Sequence, residues 1–594
     1  MSVPTADGGH SAPDVQAAFA STLVDEWVRG GVSRAVVCPG SRSTPLAVAL
    51  AAEPAIEVTV RLDERSAAFT ALGIGLATGR PALVVTTSGT AAAELHAAVV
   101  EADLAGVPLI ACTADRPAEL HDVGAPQTID QTHLFGRSPR WYCDPGVPSE
   151  ATRTSWRSLA ARSVAEATSG PEGPGPVHLN LPFREPLLGD AGRAGGIPPG
   201  RSGSRSWHAV VSGTAPLEAT ALTTLVDADL FAVGTRGLIV AGAGCGDPAA
   251  VVSLSEALSW PLLADPRSGA RGEGPTVVAA ADGILRSSMF AGSHRPDTVI
   301  SVGQPWVSKV VNQFLAESAS LGTVTVAVEP TGRWYDPERN LELLIRSDPQ
   351  SFCQAALEAV GEAPPSRGPG GAWLDDWTDA ERRAQSAIDV GSTGLTEPTL
   401  ARRLTAALPD GATLVVSSSM PVRDVEAFSA RRPRPVTTLA NRGANGIDGV
   451  VSTALGVAVA ADGPTVAFVG DLAFFHDVSA LVRSDRFAPD LTVVVADNGG
   501  GGIFSFLAPA SALDGPTFDT LFGTPQAQDV AQVAAGFGWP VDDVSDEGDF
   551  VEALGRRLGE GGLSVIRVRL PARDENVDHH GRINAAIVAA VDGA

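Results

Sequence analysis

A chain of 594 residues is too long for a single hydrophobic core and predicts about three or four domains. Hydrophobic residues make up 44% and charged residues 19% of it, as in ordinary globular proteins, and no apolar run predicts a transmembrane helix. The net charge of −25 argues against nucleic acid or anionic membrane as a partner, because both require a basic face.

The N-terminus and the cysteines indicate a cytoplasmic protein. The first residues, MSVPTADGGHSAPD, lack the basic and apolar regions of a signal peptide and predict a short disordered leader. The five cysteines are scattered without a CxxC pair, which favours reduced thiols over disulfides or a zinc site. Lys309 is the only lysine, which leaves 43 − 1 = 42 arginines. This lysine either has a functional role or is a surface residue that has persisted by chance, and the sequence alone leaves both alternatives open.

Apolar β-branched segments alternate with alanine-rich amphipathic segments, which is typical of parallel sheets covered by helices. Helices are predicted over Ala91–Leu104 and Val478–Arg486. The predicted buried strands are, in chain order, Ala35–Cys38, Ala82–Thr86, Leu109–Thr113, Leu238–Ala241, Thr413–Val416, Thr465–Val469 and Leu491–Ala496.

Two segments rich in Gly, Pro and Ser, 188–206 and 361–372, are predicted to be linkers. They divide the chain into three α/β domains, each predicted to be a doubly wound parallel sheet. The predicted limits are 1–190 for the N-terminal domain, 205–362 for the middle domain and 373–594 for the C-terminal domain.

The first and third domains share a layout. In the first, strands end at Ser88 and Asp115, and 115 − 88 = 27; in the third, they end at Asp471 and Asn498, and 498 − 471 = 27. Each domain also carries an upstream Ser-rich loop with an arginine, CPGSRS and SSSMPVR. These three correspondences predict a duplicated fold, whose ligands bind at the carboxyl ends of the strands.

The loops after two strands of the third domain could bind Mg²⁺ and a diphosphate. The carboxylate of Asp471, the amide oxygen of Asn498 and a carbonyl near Gly500 are ligands of the type that Mg²⁺ prefers. Gly470 and Gly499 allow the backbone to approach phosphate closely. Each loop taken singly is equally compatible with an ordinary strand-to-helix turn.

Together, GDL and DNGG at this spacing resemble the cofactor-binding motif of thiamine-dependent enzymes, which is Gly-Asp-Gly followed about 25 residues later by Asn. Leu472 stands where most thiamine-dependent enzymes have the second glycine of that motif. This departure reduces the number of thiamine-dependent families that the chain can resemble, without excluding the superfamily. Nearly the whole chain resembles the 2-succinyl-5-enolpyruvyl-6-hydroxy-3-cyclohexene-1-carboxylate (SEPHCHC) synthase family of menaquinone biosynthesis. The matching segments include CPGSRSTPLA, DERSAAFTALGIGLATGRPA, TTSGTAAAELHAAVVEA, TADRPAEL, SSSMPVRD, NRGANGIDG, GDLAFFHD and DNGGGGIFSFL.

The resemblance implies thiamine diphosphate and Mg²⁺ as cofactors, with Mn²⁺ as an alternative metal. Glu64 falls on the glutamate that activates the cofactor in this family, although by pattern alone it is an acidic residue that begins a helix. Ile447 falls on the apolar position under the bent cofactor. The implied cofactor-binding residues are Glu64, Ser88, Gly89, Ser419, Ile447, Gly470, Asp471, Leu472, Asn498, Gly500, Ile503 and Phe504, of which Asp471, Asn498 and Gly500 bind the metal.

The family joins two dianions, the donor 2-oxoglutarate and the acceptor isochorismate, and arginine is suited to their carboxylates. It also implies a homo-oligomer, either a dimer or a tetramer, with the active site between subunits. The implied substrate-binding residues are Ser41, Arg42, Arg116, Gln127, Lys309, Ser419, Arg423 and Arg442.

Two features depart from the expected patterns. Gln526 stands where the family usually has histidine, so an acid–base role at that position is in doubt. The middle-domain segment GAGCG has GxGxG rather than GxGxxG spacing, which favours a structural loop over a dinucleotide site. The alternative functions are an acetolactate-synthase-like or other 2-oxoacid decarboxylase or carboligase, and a non-catalytic nucleotide-binding protein.

Overall fold

The computed structural model describes residues 10–210, 231, 234–360, 370–482 and 487–593. The described residues form three six-stranded parallel sheets covered by helices, which confirms the predicted fold class. Most of the predicted N-terminal leader, linker residues 361–369 and the end of the predicted helix Val478–Arg486 lie outside the described residues. No described helix combines the length and the apolar character that spanning a bilayer requires.

The N-terminal sheet has the strand order β2-β1-β3-β4-β6-β5. Its strands are β1 Arg34–Val37, β2 Glu57–Val60, β3 Ala82–Thr86, β4 Leu109–Asp115, β5 Trp141–Cys143 and β6 Pro176–Pro182. The helices of this region are Ala12–Arg29, Thr44–Ala52, Glu64–Thr78, Thr90–Ala93, His96–Ala105 and Trp156–Ser169. Strands β3, β4 and β6 are buried along their whole length, as expected for a parallel sheet covered on both faces.

The middle sheet has the order β12-β11-β10-β7-β8-β9, which is the order of a doubly wound nucleotide-binding sheet. Its strands are β7 Gly237–Ala241, β8 Leu262–Ala264, β9 Val277–Val278, β10 Thr298–Val302, β11 Val324–Val328 and β12 Leu343–Ile345. The helices of this region are Pro248–Leu258, Ala281–Ile284, Ser288–Ser293, Lys309–Ser320, Pro349–Val360 and Gly370–Gly391.

The C-terminal sheet has the order β14-β13-β15-β16-β18-β17. Its strands are β13 Thr413–Val416, β14 Thr437–Leu439, β15 Thr465–Gly470, β16 Leu491–Asp497, β17 Val541–Val544 and β18 Leu563–Arg569. The helices are Glu397–Ala407, Met420–Phe428, Val450–Ala460, Asp471–His476, Ala508–Ala512, Gly515–Phe518, Val530–Gly536, Glu547–Glu560 and Arg573–Asp592.

The first and third sheets have the same order when their strands are numbered within each domain, 2-1-3-4-6-5. This identity confirms the duplicated fold that the equal spacings predict. In both sheets the paired functional loops follow two adjacent central strands, which are β3 and β4 in the first sheet and β15 and β16 in the third.

The predicted strands agree with the observed ones to within two residues at either end, and the helices agree less well. The predicted helix Ala91–Leu104 is divided into Thr90–Ala93 and His96–Ala105. The predicted helix beginning at Val478 is a 3-10 turn, Val478–Leu481, in its described part. Within the predicted linker 361–372, residues from Gly370 onward begin a helix that buries Trp373 and Trp377, one turn apart, in an apolar core.

The other predicted linker, 188–206, contains no strand or α-helix, but it is packed against its domain. Its only regular elements are the 3-10 turns Ala191–Ala194 and Ser202–Ser204. The backbone carbonyl of Pro198 accepts hydrogen bonds from the buried guanidinium of Arg157, and the N–H donor distances are 2.9 and 2.6 Å. The three domain limits that depend on these linkers remain predictions.

The described residues cluster into two compact units. The first consists of the described parts of Met1–Ser212, Asn441–Thr465 and Phe474–Leu491, and the second contains the rest. Within the first unit, helix Glu64–Thr78 packs closely on helix Val450–Ala460. A Cβ on Gly73 would lie 2.0 Å from the Thr453 carbonyl oxygen, and one on Gly456 would lie 1.9 Å from that of Thr70. Only glycine permits this separation of the two helices.

Candidate active site

Glu64 is the first residue of its helix and lies in the wall of an open cavity of about 650 Å³ in the first unit. Asp63 caps this helix by accepting a hydrogen bond from the Ser66 backbone N–H at 3.0 Å. Burial raises the pKa of Glu64, and the carboxylates of Asp63 and Glu94 raise it further against a backbone hydrogen bond that lowers it. Glu64 is therefore a carboxyl group that retains a proton more readily than a solvated one.

Four predicted residues of the N-terminal domain are joined by hydrogen bonds. The Ser88 hydroxyl donates to the Gln127 carbonyl at 3.1 Å, and the Gln127 amide donates back to the Ser88 carbonyl at 3.0 Å. The Arg116 guanidinium donates to the Ser88 hydroxyl, and Gly89 follows Ser88 with a φ of 85°. The structure thus brings Ser88, Gly89, Arg116 and Gln127 together, and Gln127 also lines the same cavity as Glu64.

Burial lowers the pKa of Arg116, and the nearby positive charge of Arg42 lowers it further. Arg42 is 5% exposed and donates to the Phe183 carbonyl at 2.9 Å and to the Glu185 carboxylate at 3.1 Å. Its neighbour Ser41 is exposed at the start of helix Thr44–Ala52. Two neighbouring guanidinium groups favour a bound anion, which is the chemistry that a dicarboxylate substrate supplies.

A buried polar network supports this cluster, and the sequence did not single it out. Gln131 accepts a hydrogen bond from the Gly89 N–H at 2.9 Å and donates to Asn180 at 2.7 Å. Asn180 donates to Asp115 at 2.9 Å, and Asp115 accepts from the Arg116 N–H at 2.7 Å. These hydrogen bonds therefore connect Gly89, in the loop after β3, to Asp115 and Arg116 at the end of β4.

The loop containing Arg442 and Ile447 belongs to the first unit. It is anchored by Glu101 of helix His96–Ala105, which accepts hydrogen bonds from the N–H groups of Gly443 at 2.7 Å and Ala444 at 2.6 Å. Burial raises the pKa of Glu101, and Arg442 lies near enough to lower it in part. Ile447 is half-buried in the loop that leads to helix Val450–Ala460. Glu101 was also missed, although it is an acidic residue on a largely buried helix face.

In the second unit, the loops after β15 and β16 bring together Asp471 and Gly500. Asp471 is 4% exposed, and burial raises its pKa to about 7 despite backbone hydrogen bonds from Leu472, at 2.8 Å, and Gly500. Gly470 ends β15 immediately before it. Gly500 has a φ of 136°, and a Cβ there would lie 2.1 Å from the Gly523 carbonyl oxygen, so no larger residue fits.

These residues fit a divalent cation. The Asn498 side-chain oxygen is buried and has no hydrogen-bond partner among the described residues, which leaves an oxygen ligand available. Asp471 adds a buried carboxylate whose ionised form a cation would favour. The described residues contain no group of three or more His, Cys, Asp or Glu side chains that could hold a metal. A magnesium ion that keeps phosphate oxygens and water in its shell does not require such a group.

Lys309 and Arg423 line a cavity of about 570 Å³ in the second unit, together with Ile503. Lys309 begins helix Lys309–Ser320 and is exposed, whereas Arg423 is half-buried and donates to the Ser419 carbonyl. Burial lowers the pKa of Arg423. Ser419 has a φ of 74°, a region in which a residue with a side chain is strained. Strained residues of this kind cluster at functional sites.

The remaining predicted residues lie on neighbouring segments. Phe504 lies in the 3-10 helix Gly502–Phe506, with its ring centroid 5.5 Å from that of Phe522. Leu472 is in the first turn of helix Asp471–His476. Gln526 is exposed and donates to the Thr524 carbonyl at 2.8 Å, which gives its amide a local partner.

A second group that the sequence did not indicate lies behind Asn498. Its amide nitrogen donates to Glu397 at 2.6 Å. Glu397 lies beside the carboxyl group of Asp424, and a carboxylate oxygen of Asp424 lies 2.9 Å from the ring nitrogen of His580. His580 lies in the wall of the 570 Å³ cavity. Four segments distant in sequence thus meet at one buried cluster.

Three family models match the chain. They are the N-terminal thiamine pyrophosphate (TPP) binding domain of thiamine pyrophosphate enzymes over residues 17–134, the middle domain of thiamine pyrophosphate enzymes over 215–416, and the C-terminal TPP binding domain over 422–568. Glu64 lies within the first match, and Asp471 and Asn498 lie within the third.

Curated proteins named 2-succinyl-5-enolpyruvyl-6-hydroxy-3-cyclohexene-1-carboxylate synthase are similar over nearly the whole chain. The protein from Myxococcus xanthus is 41% identical, and the similarity covers 96% of this chain and 97% of the relative. The protein from Chloroflexus aurantiacus is also 41% identical and covers 95% of each chain. The protein from Bacillus velezensis is 38% identical, with coverage of 96% and 97%.

Proposed function

The chain belongs to the SEPHCHC synthase family of thiamine pyrophosphate enzymes, and from this membership we propose that it makes SEPHCHC for menaquinone biosynthesis. The proposed reaction decarboxylates 2-oxoglutarate and adds the four-carbon fragment in 1,4 fashion to isochorismate, with release of CO₂. Thiamine diphosphate, when bound, supplies the carbon nucleophile and the electron sink for this chemistry. The observation that carries the proposal is the match to named synthases over at least 95% of the chain.

Glu64 is proposed to be the catalytic carboxyl group, which shares a proton with the pyrimidine ring of the cofactor. Its raised pKa supports this role, because a group that exchanges a proton during turnover works best with a pKa nearer neutrality. Its place in a cavity wall rather than in an ion pair leaves the carboxyl accessible to a ligand.

The diphosphate end is proposed to bind through Mg²⁺ to Asp471, Asn498 and the Gly500 carbonyl, with Mn²⁺ able to replace Mg²⁺. The unpartnered amide oxygen of Asn498 and the buried carboxyl of Asp471 support this assignment. The further cofactor contacts proposed are Ser88, Gly89, Ser419, Ile447, Gly470, Leu472, Ile503 and Phe504.

The two substrates are proposed to be bound through their carboxylates. Arg42 and Arg116 form one pair of adjacent positive charges, and Lys309 and Arg423 line a second cavity. Guanidinium groups held by neighbouring hydrogen bonds lose little further freedom when they bind a carboxylate. The complete proposed set is Ser41, Arg42, Arg116, Gln127, Lys309, Ser419, Arg423 and Arg442.

The working enzyme is proposed to be a cytoplasmic homodimer or homotetramer. In this arrangement the N-terminal domain of one copy and the C-terminal domain of another bind opposite ends of one cofactor. The size of the oligomer is measurable by analytical ultracentrifugation with and without thiamine diphosphate and Mg²⁺. A protein that stays monomeric at working concentration while turning over would contradict the proposal.

The test is an assay of CO₂ release and isochorismate consumption with thiamine diphosphate and Mg²⁺. SEPHCHC synthase activity requires both substrates and consumes isochorismate in step with CO₂ release. CO₂ release from 2-oxoglutarate alone at the same rate would favour a simple decarboxylase, and acetolactate formation from pyruvate would favour the acetolactate-synthase-like alternative. Cofactor binding with none of these activities would favour a non-catalytic protein.

A further inference from the structure

Glu397 is buried against the proposed metal ligand Asn498. It is the first residue of helix Glu397–Ala407, its side chain is 3% exposed, and Thr396 caps the helix in front of it. One carboxyl oxygen, Oε1, accepts a hydrogen bond from the Asn498 amide nitrogen Nδ2 at 2.6 Å. This short contact is partly buried, and a hydrogen bond to a carboxyl oxygen that is shielded from water is strong.

The contact determines which end of the Asn498 amide faces which way. An amide carries an NH₂ donor at one end and an oxygen acceptor at the other. Because the Glu397 oxygen accepts, the NH₂ end of Asn498 is held toward Glu397 and the oxygen points away from it. That oxygen, Oδ1, is buried and has no hydrogen-bond partner in the part of the chain that the structure describes. Without Glu397, the two ends of the amide would compete for the same position.

The surroundings hold Glu397 in this role. Its carboxyl group lies beside that of Asp424, which is 1% exposed and has a carboxylate oxygen 2.9 Å from the ring nitrogen of His580. Gly502 provides the space on the other side, because a Cβ there would lie 2.6 Å from the Asn498 nitrogen.

We propose that Glu397 is a positioning residue, which orients the Asn498 amide so that its oxygen faces the divalent cation. The inference rests on the proposed function, in which Asn498 binds that cation. Glu397 touches neither cation nor substrate in this role and acts only through Asn498. Partners of metal ligands that fix their orientation typically contribute about 10–100-fold to metal affinity.

The test measures Mg²⁺-dependent binding of thiamine diphosphate to the full-length protein by isothermal titration calorimetry. Glu397→Ala should weaken binding about 10–100-fold, because the amide loses its orienting acceptor. Glu397→Gln should stay within a few-fold of wild type, because its amide oxygen can still accept from Asn498. The matched control is Glu381→Ala, which removes a buried carboxylate of the same unit that accepts from the N–H groups of Ala279 and Ala280. This control should leave binding unchanged.

A reciprocal exchange tests orientation independently of fold stability. Asn498→Asp removes the NH₂ donor and places a second carboxyl oxygen against Glu397, so Mg²⁺-dependent binding should fall. Adding Glu397→Gln to Asn498→Asp restores a hydrogen bond in the reverse direction, because the new amide at position 397 donates to the new carboxylate at position 498. Mg²⁺-dependent binding should therefore recover at least tenfold. If Glu397→Ala does not fold, the exchange alone decides the question.

The outcomes separate this inference from the proposed function. Wild-type binding of thiamine diphosphate that is independent of any divalent cation would contradict the proposed metal site, and this inference with it. Normal Mg²⁺-dependent binding in the wild type, in Glu397→Ala and in Asn498→Asp would overturn only the role of Glu397.

Discussion

Glu64 lies in a cavity wall with its pKa raised, and its charge is the property on which the proposed chemistry depends. Glu64→Gln keeps the shape and one hydrogen bond but cannot exchange a proton. We expect kcat to fall about 10²–10⁴-fold, the usual contribution of a general acid or base. The affinity for thiamine diphosphate and Mg²⁺ should stay within a few-fold, since the diphosphate and metal ligands are unchanged.

Glu94→Gln is the matched control, because Glu94 lines the same cavity and contributes a like charge near Glu64. We expect it to change kcat by less than tenfold. CO₂ release measured at saturating substrate compares the two variants, and calorimetry gives the affinity for the cofactor. Wild-type turnover in Glu64→Gln would remove Glu64 from the mechanism.

The single lysine offers a chemical test of the 570 Å³ cavity. Lys309 is exposed in its wall, so an amine-specific reagent can modify only Lys309 and the N-terminal amine. We expect 2-oxoglutarate or isochorismate to slow modification of Lys309 at least several-fold, because a bound carboxylate would cover its ammonium group. The N-terminal amine serves as the internal control, and peptide mass spectrometry measures both sites. Equal modification with and without substrates would place Lys309 outside the substrate site.

Among single residues, the sequence indicated candidates that lie in motifs and gave no indication of the residues that hydrogen-bond to them. Asp471 and Asn498 could be paired because each follows a recognisable strand and the ends of parallel strands meet at one edge. Glu397 and Glu101 could not, because their partners are 101 and 342 residues away and no pattern relates those segments. A buried glutamate on a helix is visible in sequence, but the group that it binds is not.

The two helices Glu64–Thr78 and Val450–Ala460 are packed so closely that a single added methyl group can test their separation. Gly73 and Gly456 each face a backbone carbonyl of the opposite helix. A Cβ added to Gly73 or Gly456 would lie 2.0 or 1.9 Å, respectively, from that carbonyl oxygen. Gly73→Ala must push the helices apart, and we expect the free energy of unfolding to fall by about 1–3 kcal/mol or more. The helix contact also positions Glu64 at the N-terminus of its helix, so activity should fall as well.

The control for this substitution is Gly555→Ala, in the middle of helix Glu547–Glu560, where a Cβ meets nothing within 4 Å. There, alanine should stabilise the protein by up to about 1 kcal/mol through its higher helix propensity. Urea unfolding of both variants gives the comparison. A Gly73→Ala protein as stable as the Gly555→Ala protein would show that the helices can separate without loss.

Elements were predicted unevenly for a physical reason. Strands of a parallel sheet are buried on both faces, so they appear as short apolar runs, and their observed bounds differ little from the predicted ones. Helix breaks leave a weaker trace: alanine-rich Ala91–Leu104 gives no signal of the interruption at Glu94 and Leu95. The helix beginning at Gly370 was taken as linker because Gly and Pro dominate the residues before it, while its buried Trp373 and Trp377 lie further along.

The whole molecule is acidic, and several of its carboxyl groups are buried with raised pKa values. These are Asp115, Glu101, Glu397, Glu426, Asp471 and Asp477, and in each case burial is the largest cause. Fold and cofactor could be predicted from sequence because motifs and sheet patterns are local. The burial of charge depends on the complete three-dimensional packing, and it controls how stability responds to pH.

Asp477 makes this response testable. It is fully buried and accepts hydrogen bonds from the Ser452 N–H at 2.7 Å and the Ser452 hydroxyl at 3.0 Å, and burial raises its pKa from 3.8 to about 6. Between about pH 4 and 6 the folded state holds a proton that the unfolded state has released, so its contribution to stability is lost as pH rises through this window. For a shift of about two pH units, the loss is on the order of 3 kcal/mol.

The contribution of Asp477 should therefore lower the urea midpoint of the cofactor-free protein as the pH rises from 4 to 6, whereas buried His178, whose pKa burial lowers to about 3, acts in the opposite direction. Asp477→Asn removes this titrating group, so the urea midpoint of the variant should rise relative to that of the wild type as the pH increases from 4 to 6. Asp14→Asn is the control. Hydrogen bonds from Ser11 and the Asp190 N–H lower the pKa of Asp14, so this substitution should change the pH dependence of stability only below about pH 4. A pH dependence that is identical in wild type and Asp477→Asn would show that Asp477 stays ionised in the folded protein, held by Ser452 and the positive charges of Arg61 and Arg65.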